Sequence, residues 1–183
     1  MKKWIIPVAI VVILGMMFVS GYNSLVAIGE NVNGKWSQVE NQLQRRADLI
    51  PNLVETVKGF AAQEKSIFTE VAEARAKLAG ANTVGEAAEA NQAVTGALGR
   101  LLAIAEAYPQ LKSDANFRAL QDELAGTENR LATARRDYNE AVQVYNATIK
   151  RFPTMIYAGM FGFGPHEYFQ TTEEAKNAPK VSF

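Results

Sequence analysis

From Phe117 the chain sets an apolar side chain every seventh residue: Phe117, Leu124, Leu131, Tyr138, Tyr145 and Phe152. A companion position carries Leu120, Thr127, Ala134, Ala141 and Thr148. A strict seven-residue repeat keeps one seam of an α-helix against its neighbours and implies left-handed supercoiling. The first set is large and the second mostly small, so side chains from facing helices can interdigitate. One helix is therefore predicted over 113–152. The first half repeats in the same way. Trp36, Leu43, Ile50, Val57, Val71 and Leu78 share a stripe in which Glu64 is the polar exception. Leu25, Val32, Val39, Leu53, Phe60, Ile67 and Ala74 share its companion, with Arg46 the exception. No stretch alternates β-branched and polar residues as a strand would. The fold class expected is all-α.

The segments predicted are 23–49, 48–79, 84–107 and 113–152. The first boundary has two readings. The stripe runs through Pro51 in phase, which fits one kinked helix. Local chemistry favours a break: Arg45 and Arg46 suit a helix C-terminus, Asp48 can cap a new helix, and Pro51 with Asn52 would fall in its first turn. Segment lengths also suit a bundle better than one rod, and the break is preferred. Further on, Thr83 and Glu86 form a T-x-x-E capping box. The helix that follows uses Val94, Leu98, Leu101, Ala105 and Tyr108, with Gly96 and Gly99 permitting close approach. Ser113 or Asp114 can cap the last helix.

The start of the chain constrains location. MKKWIIPVAIVVILGMMFVSGYN has two lysines and then no charge from Trp4 to Gly29. Trp4 to Tyr22 is close to the ~20 residues that cross a bilayer as a helix. Aromatic residues stand at both ends, where they favour the interface. The run exceeds the apolar core of a cleaved signal peptide and lacks a clean small-x-small site, so an uncleaved anchor at 1–22 is expected. Lys2 and Lys3 outweigh Lys35, the one Lys or Arg in the twenty residues after the run. The positive-inside rule then puts the N-terminus in the cytoplasm and the helical domain outside, and the expected location is the inner cell membrane, as a single-pass protein.

The tail, 153–183, reads as non-helical. It carries a Gly-punctuated apolar patch (Met155, Ile156, Tyr157, Met160, Phe161, Phe163) too short to span a bilayer. In an up-and-down bundle, Phe152 returns to the end nearest the membrane, and the patch becomes a candidate membrane-interface tail.

Three of the six tyrosines precede an asparagine, at 22–23, 138–139 and 145–146. Tyr138 and Tyr145 fall on the core stripe, and a buried phenol needs a hydrogen-bond partner. Asn139 and Asn146 then lie about 100° round the helix, at its seam. Arg46, Glu64, Glu128 and Arg130, with Asn129 between the last two, are the candidate partners in an interior polar network that would set helix register. Water reached by the tyrosine tips is the plainer reading.

Composition removes much chemistry. Net charge is zero, with 19 basic and 19 acidic residues, so no basic stripe invites nucleic acid. There is no cysteine and one histidine, His166, which leaves no basis for a thiol site, a two-histidine metal site or a Ser-His-Asp triad. GMFGFG lacks dinucleotide-fingerprint spacing, and no phosphate-binding loop motif occurs. Glu123, Glu128, Asp137 and Glu140 interleave with Arg118, Arg130, Arg135 and Arg136, as on a solvated, salt-bridged face. No enzyme, cofactor, metal or small-molecule substrate is expected.

Several blocks carry a family resemblance: YNSLV at 22–26, WSQVENQLQRRADLIPNLVETVKGFAAQE at 36–64, NFRALQDELAGTENRLATARRDYNEAVQVYN at 116–146, and the terminal APKVSF. The chain resembles the LemA family over nearly its whole length. The resemblance implies an N-terminal membrane anchor and an antiparallel four-helix bundle, here 23–152. It brings no assigned activity and no site residues. The function expected is that of a membrane-anchored scaffold or adaptor that forms a homo-oligomer or binds another membrane protein. The competing reading is a lipid-facing protein that acts on the bilayer through its anchor and tail patch.

Overall fold

The computed structural model describes residues 5–170. The anchor residues Lys2, Lys3 and Trp4 and the terminal APKVSF lie outside that range. The described residues form six helices and no strand: α1 Ile5–Lys58, α2 Lys65–Ala79, α3 Val84–Glu106, α4 Pro109–Ser113, α5 Ala115–Ile149 and α6 Thr154–Phe161. The chain divides into two compact units. One holds the described residues up to Ser37 together with Asp137–Glu167, and the other holds Gln38–Arg136 with the described residues from Tyr168 to Gln170.

The break expected at Pro51 is not there. α1 passes through Pro51 and ends at Lys58. A proline leaves the carbonyl four residues earlier without its helical donor. That carbonyl belongs to Ala47, and Arg75 Nε of α2 donates to it at 2.9 Å. The residue that would have been an orphan acceptor is satisfied from outside, so the helix continues and the heptad phase is kept. The turn comes at 59–64, where Ala61 N bonds Val57 O and Glu64 N bonds Ala61 O. Glu64 stands at the N-cap position of α2, half-buried, which removes it from the core stripe.

In the second unit the stripes pack as their spacing predicts except at Phe60, which falls in the turn after α1 and is exposed. Leu43, Ile50, Leu53 and Val57 of α1, Ile67, Val71 and Leu78 of α2, and Leu98 and Leu101 of α3 are buried. α3 opens with the expected capping box: Glu86 N donates to Thr83 Oγ1, and the Glu86 carboxylate accepts from Thr83 N. Gly96 and Gly99 face open space, so they serve no close approach. Asp114 Oδ1 caps α5 by accepting from Phe117 N at 2.9 Å. Phe117, Leu124, Thr127, Leu131 and Ala134 follow on the buried face.

In the first unit Leu25 and Val32 of α1 are buried, as are Tyr138, Ala141, Val142, Tyr145 and Ile149 of α5. The Trp36 and Tyr138 rings meet at a tilt, with centroids 5.3 Å apart. Phe152, the last residue of the expected stripe, lies beyond α5 and is 79% exposed.

The tail expected to be non-helical contains α6. Gly162 ends it in the left-handed conformation, φ 74°, and Phe163 N reaches back to Ala158 O at 3.0 Å. That is the glycine-terminated closure of a helix. Tyr157 and Ala158 are the buried residues of α6, and aromatic rings of α1 cover it. Burial at these rings outweighs the helix-weakening Gly159. From Phe163 to Gln170 the chain is irregular.

Candidate functional sites on the two units

Among the described residues each unit holds a polar cluster built around α5. In the second unit α1 places Arg46, 3% exposed, at a core position. Arg46 Nη1 donates to Asn91 Oδ1 of α3 at 2.6 Å and stands 2.8 Å from Glu128 Oε2 of α5. Burial is the main influence on this guanidinium and lowers its pKa. The Glu128 carboxylate opposes that shift, and Arg135 adds to it. Arg46 Nε and Gln42 Oε1 are buried without a hydrogen-bond partner. One turn away in the same unit, the Glu123 carboxylate accepts from Arg45 Nη2 at 2.6 Å and from Arg130 Nη2 at 3.0 Å. The Arg45 hydrogen bond and charge hold its pKa below the usual carboxylate range. The Arg135 guanidinium lies over the Phe169 ring, 4.8 Å from its centre.

In the first unit α5 holds an extended stretch of tail. Asn146 Nδ2 donates to His166 O, and His166 N donates to Asn146 Oδ1, both at 2.9 Å. One amide therefore pairs both polar groups of a single residue's backbone, as a neighbouring strand would. The Tyr138 hydroxyl donates to Glu167 O at 2.7 Å. The rings of Tyr145 and His166 meet edge-on at 4.6 Å. Tyr145 packs beside Gly29 of α1, where a Cβ would stand in ordinary contact with its ring.

The expected single network is thus not formed. Arg46 and Glu128 pair with each other, and Tyr138 finds its partner in tail backbone rather than in Arg46, Glu64, Glu128 or Arg130. The remaining candidates are dispersed. Asp48 accepts from Gln44, Asn52 and Asn129 offer backbone carbonyls to Thr56 and Thr133, and Asn139 is half-buried on α5. Asn91 and Arg75 escaped notice in the sequence, and His166 was noted only as the one histidine. Asn91 had a readable signal, a lone amide on the Ala87, Val94, Leu98 face of α3.

Burial, and secondarily the Glu167 charge, pushes the Tyr138 phenol up to about 12 from 10.0. A folded-state pKa above the unfolded one means that the unfolded chain loses this proton first. Stability should therefore fall as pH rises between about 10 and about 12, because the folded state then holds more protons than the unfolded one. Denaturant midpoints across that range should show the fall in the native chain and a shallower one in Tyr138→Phe. Equal slopes would separate the phenol from alkaline unfolding.

Among the described residues no group of three His, Cys, Asp or Glu is placed to hold a metal ion. The clusters join elements together. Neither sets a nucleophile beside a base in a cleft, the arrangement that covalent catalysis uses.

The architecture defines an all-helical protein whose N-terminal helix is long and apolar enough to cross a membrane. Residues 35–183 match the LemA family model, and the chain belongs to the LemA family. The family match begins after the apolar run. The chain is similar to Magnetosome protein MamQ 1 and MamQ 2 of Paramagnetospirillum magneticum, at 33% identity over 175 residues. It is also similar to Magnetosome protein MamQ of Magnetospirillum gryphiswaldense, at 32% identity over 174 residues. In each case 81% of this chain is covered, and the match spans 64% of the relative's length.

Proposed function

We propose that this protein is a membrane-anchored scaffold or adaptor. The apolar start of α1 holds it in the inner membrane. Its helices, arranged as an antiparallel four-helix bundle with coiled-coil-like seams, bind a second copy or another membrane protein. The observation that carries this reading is the exposure of α1 before its core stripe begins. Ile6, Val11, Met16, Met17 and Val19 are 58–69% exposed. An apolar surface of that extent marks a membrane or protein contact rather than a face left in water. Its flanking Lys2 and Lys3 favour a cytoplasmic N-terminus and an extracytoplasmic bundle. The relatives are named for the magnetosome and not for a reaction, which agrees with a non-enzymatic role. Tethering raises local concentration, which favours self-assembly. The bundle with a separate anchor at 1–22 belongs to the same proposal.

In-cell crosslinking of the full chain, followed by mass spectrometry, tests it. A ladder of self-adducts supports a self-assembling scaffold. One reproducible foreign membrane protein supports an adaptor. Neither product would sink both versions and favour the second reading, a lipid-facing protein that remodels or senses the bilayer. That reading has its own support in the four large apolar side chains that α6 leaves exposed, Met155, Ile156, Met160 and Phe161.

A further inference from the structure

α6 is held against the far end of the apolar run. Tyr157 meets Phe18 edge-on at 5.3 Å, and Phe161 meets Tyr22 at 5.0 Å. Phe163 adds a third contact, 5.7 Å from the Tyr22 ring. Gly21 makes the seat possible, because a Cβ there would collide with the Tyr157 hydroxyl. The rings that point inward fix α6 to α1. Met155, Ile156 and Met160 point outward, and Phe161, although its ring touches α1, keeps an outer face; the four are 51–71% exposed.

Height along α1 says what faces them. A bilayer's hydrocarbon takes about 20 helical residues, so a span that begins near Ile5 ends within a turn or so of Tyr22. Phe18, Gly21 and Tyr22 therefore lie in the last ~5–10 Å of that span, the depth at which interfacial helices bury their apolar side. Charge follows the same level. No Asp, Glu, Lys or Arg occurs from Phe152 to His166, and the exposed pair Lys150 and Arg151 stands immediately before that stretch. An eight-residue helix cannot cross a bilayer, so it can only lie in its surface.

We propose that α6 is a second membrane contact, with Met155, Ile156, Met160 and Phe161 among the outer acyl chains and Lys150 and Arg151 at the phosphates. This rests on the reading that the start of α1 spans the bilayer. It goes beyond that reading by giving the chain two lipid-embedded points. A single-pass helix alone is free to tilt and rotate. A second embedded point beside it fixes which side of the first unit faces the membrane.

The chain has no cysteine, so single labels can be placed in the full-length protein. Val11→Cys, Val144→Cys, Ile156→Cys and Met160→Cys are each labelled with bimane. Each is then reconstituted at low protein density into phosphatidylcholine–phosphatidylglycerol vesicles. Quenching is read with brominated lipid and, separately, with aqueous iodide. Val11 reports the span, and Val144, exposed on α5, reports water. The labels at 156 and 160 should be quenched by brominated lipid about threefold or more above the label at 144, and shielded from iodide. Iodide access at 156 and 160 with lipid quenching at 11 would overturn the α6 contact and leave the anchor standing. Absence of lipid quenching at 11 would overturn both. Quenching at 156 and 160 by neither agent would mean that protein covers the patch, which also overturns it.

Discussion

Arg46→Ala should destabilise the second unit by about 3 kcal/mol, because it breaks a buried ion pair and strands its partners. Asn91, 5% exposed, would lose the donor to its side-chain carbonyl. Glu128 would lose its cation, but its side chain is 41% exposed and can turn to water, which keeps the cost at the low end of the range. A loss of that size corresponds to a drop on the order of 10 °C in Tm for a chain of this length. Arg46→Met tests the cause. It fills most of the volume and removes the charge, so Glu128 and Asn91 alone are left short of a partner. If burial of the guanidinium is itself costly, Arg46→Met should recover part of the loss, and Arg46→Met with Asn91→Leu should recover more. A double-mutant cycle between Arg46 and Glu128 isolates the pair. Equal melting of Arg46→Ala and the native chain in detergent would show that the cluster holds nothing together.

Arg46 also shows what a sequence can and cannot tell. Its place was legible: a charged residue on an otherwise apolar stripe had to be buried with a partner or lie off the core. The partner's identity was half legible, since Glu128 was a candidate and Asn91 was not. The α5 stripe was legible from Phe117 to Tyr145, though not at Phe152, because a seven-residue period is a local property that packing obeys within the helix. Phe117, Leu124, Leu131, Tyr138 and Tyr145 are all buried. Pro51 misled for the opposite reason. The capping chemistry, two arginines, an aspartate and a proline, argued for a break and was preferred over the in-phase stripe. The compensating donor comes from Arg75, 28 residues from the Ala47 carbonyl it satisfies, and no window around Pro51 contains it. α6 was missed likewise. Gly159 lowers its helix propensity, and the rings of Phe18 and Tyr22 that hold it are remote in sequence. The repeated Tyr-Asn pairs had a sound physical question behind them. A core phenol does need a partner and the neighbouring helical turn does carry a useful amide. But the partners are backbone groups of an aperiodic tail, where pattern gives no register.

Asn146→Asp should cost about as much as the loss of Arg46, on the order of 3 kcal/mol, although it changes one atom's chemistry and almost no volume. The native amide donates to His166 O and accepts from His166 N. A carboxylate keeps the acceptor and sets a charged oxygen where the donor stood, 2.9 Å from a carbonyl oxygen and 9% exposed. Repulsion and burial both favour its protonated form, so its folded-state pKa should lie above the unfolded ~3.9. The sign follows from linkage. The variant should approach native stability below the unfolded value, where a protonated acid can donate to His166 O. It should lose that stability as pH rises through the folded value. Asn146→Ala, which leaves both backbone groups of His166 without partners but adds no charge, should cost about 1–2 kcal/mol and show no such pH dependence. Hydrogen exchange at the His166 amide reads the contact directly. It should speed up in both variants at neutral pH and slow again in acid for Asn146→Asp alone, after correction for the intrinsic rate. Unchanged exchange in both would mean that the tail is held by Tyr138 and the Tyr145 ring, with the amide a bystander. If the prediction holds, α6 is fastened on both sides, by α1 through Phe18 and Tyr22 and by α5 through the residues just beyond Gly162. Loosening Asn146 should then also release the labels at 156 and 160 from their depth.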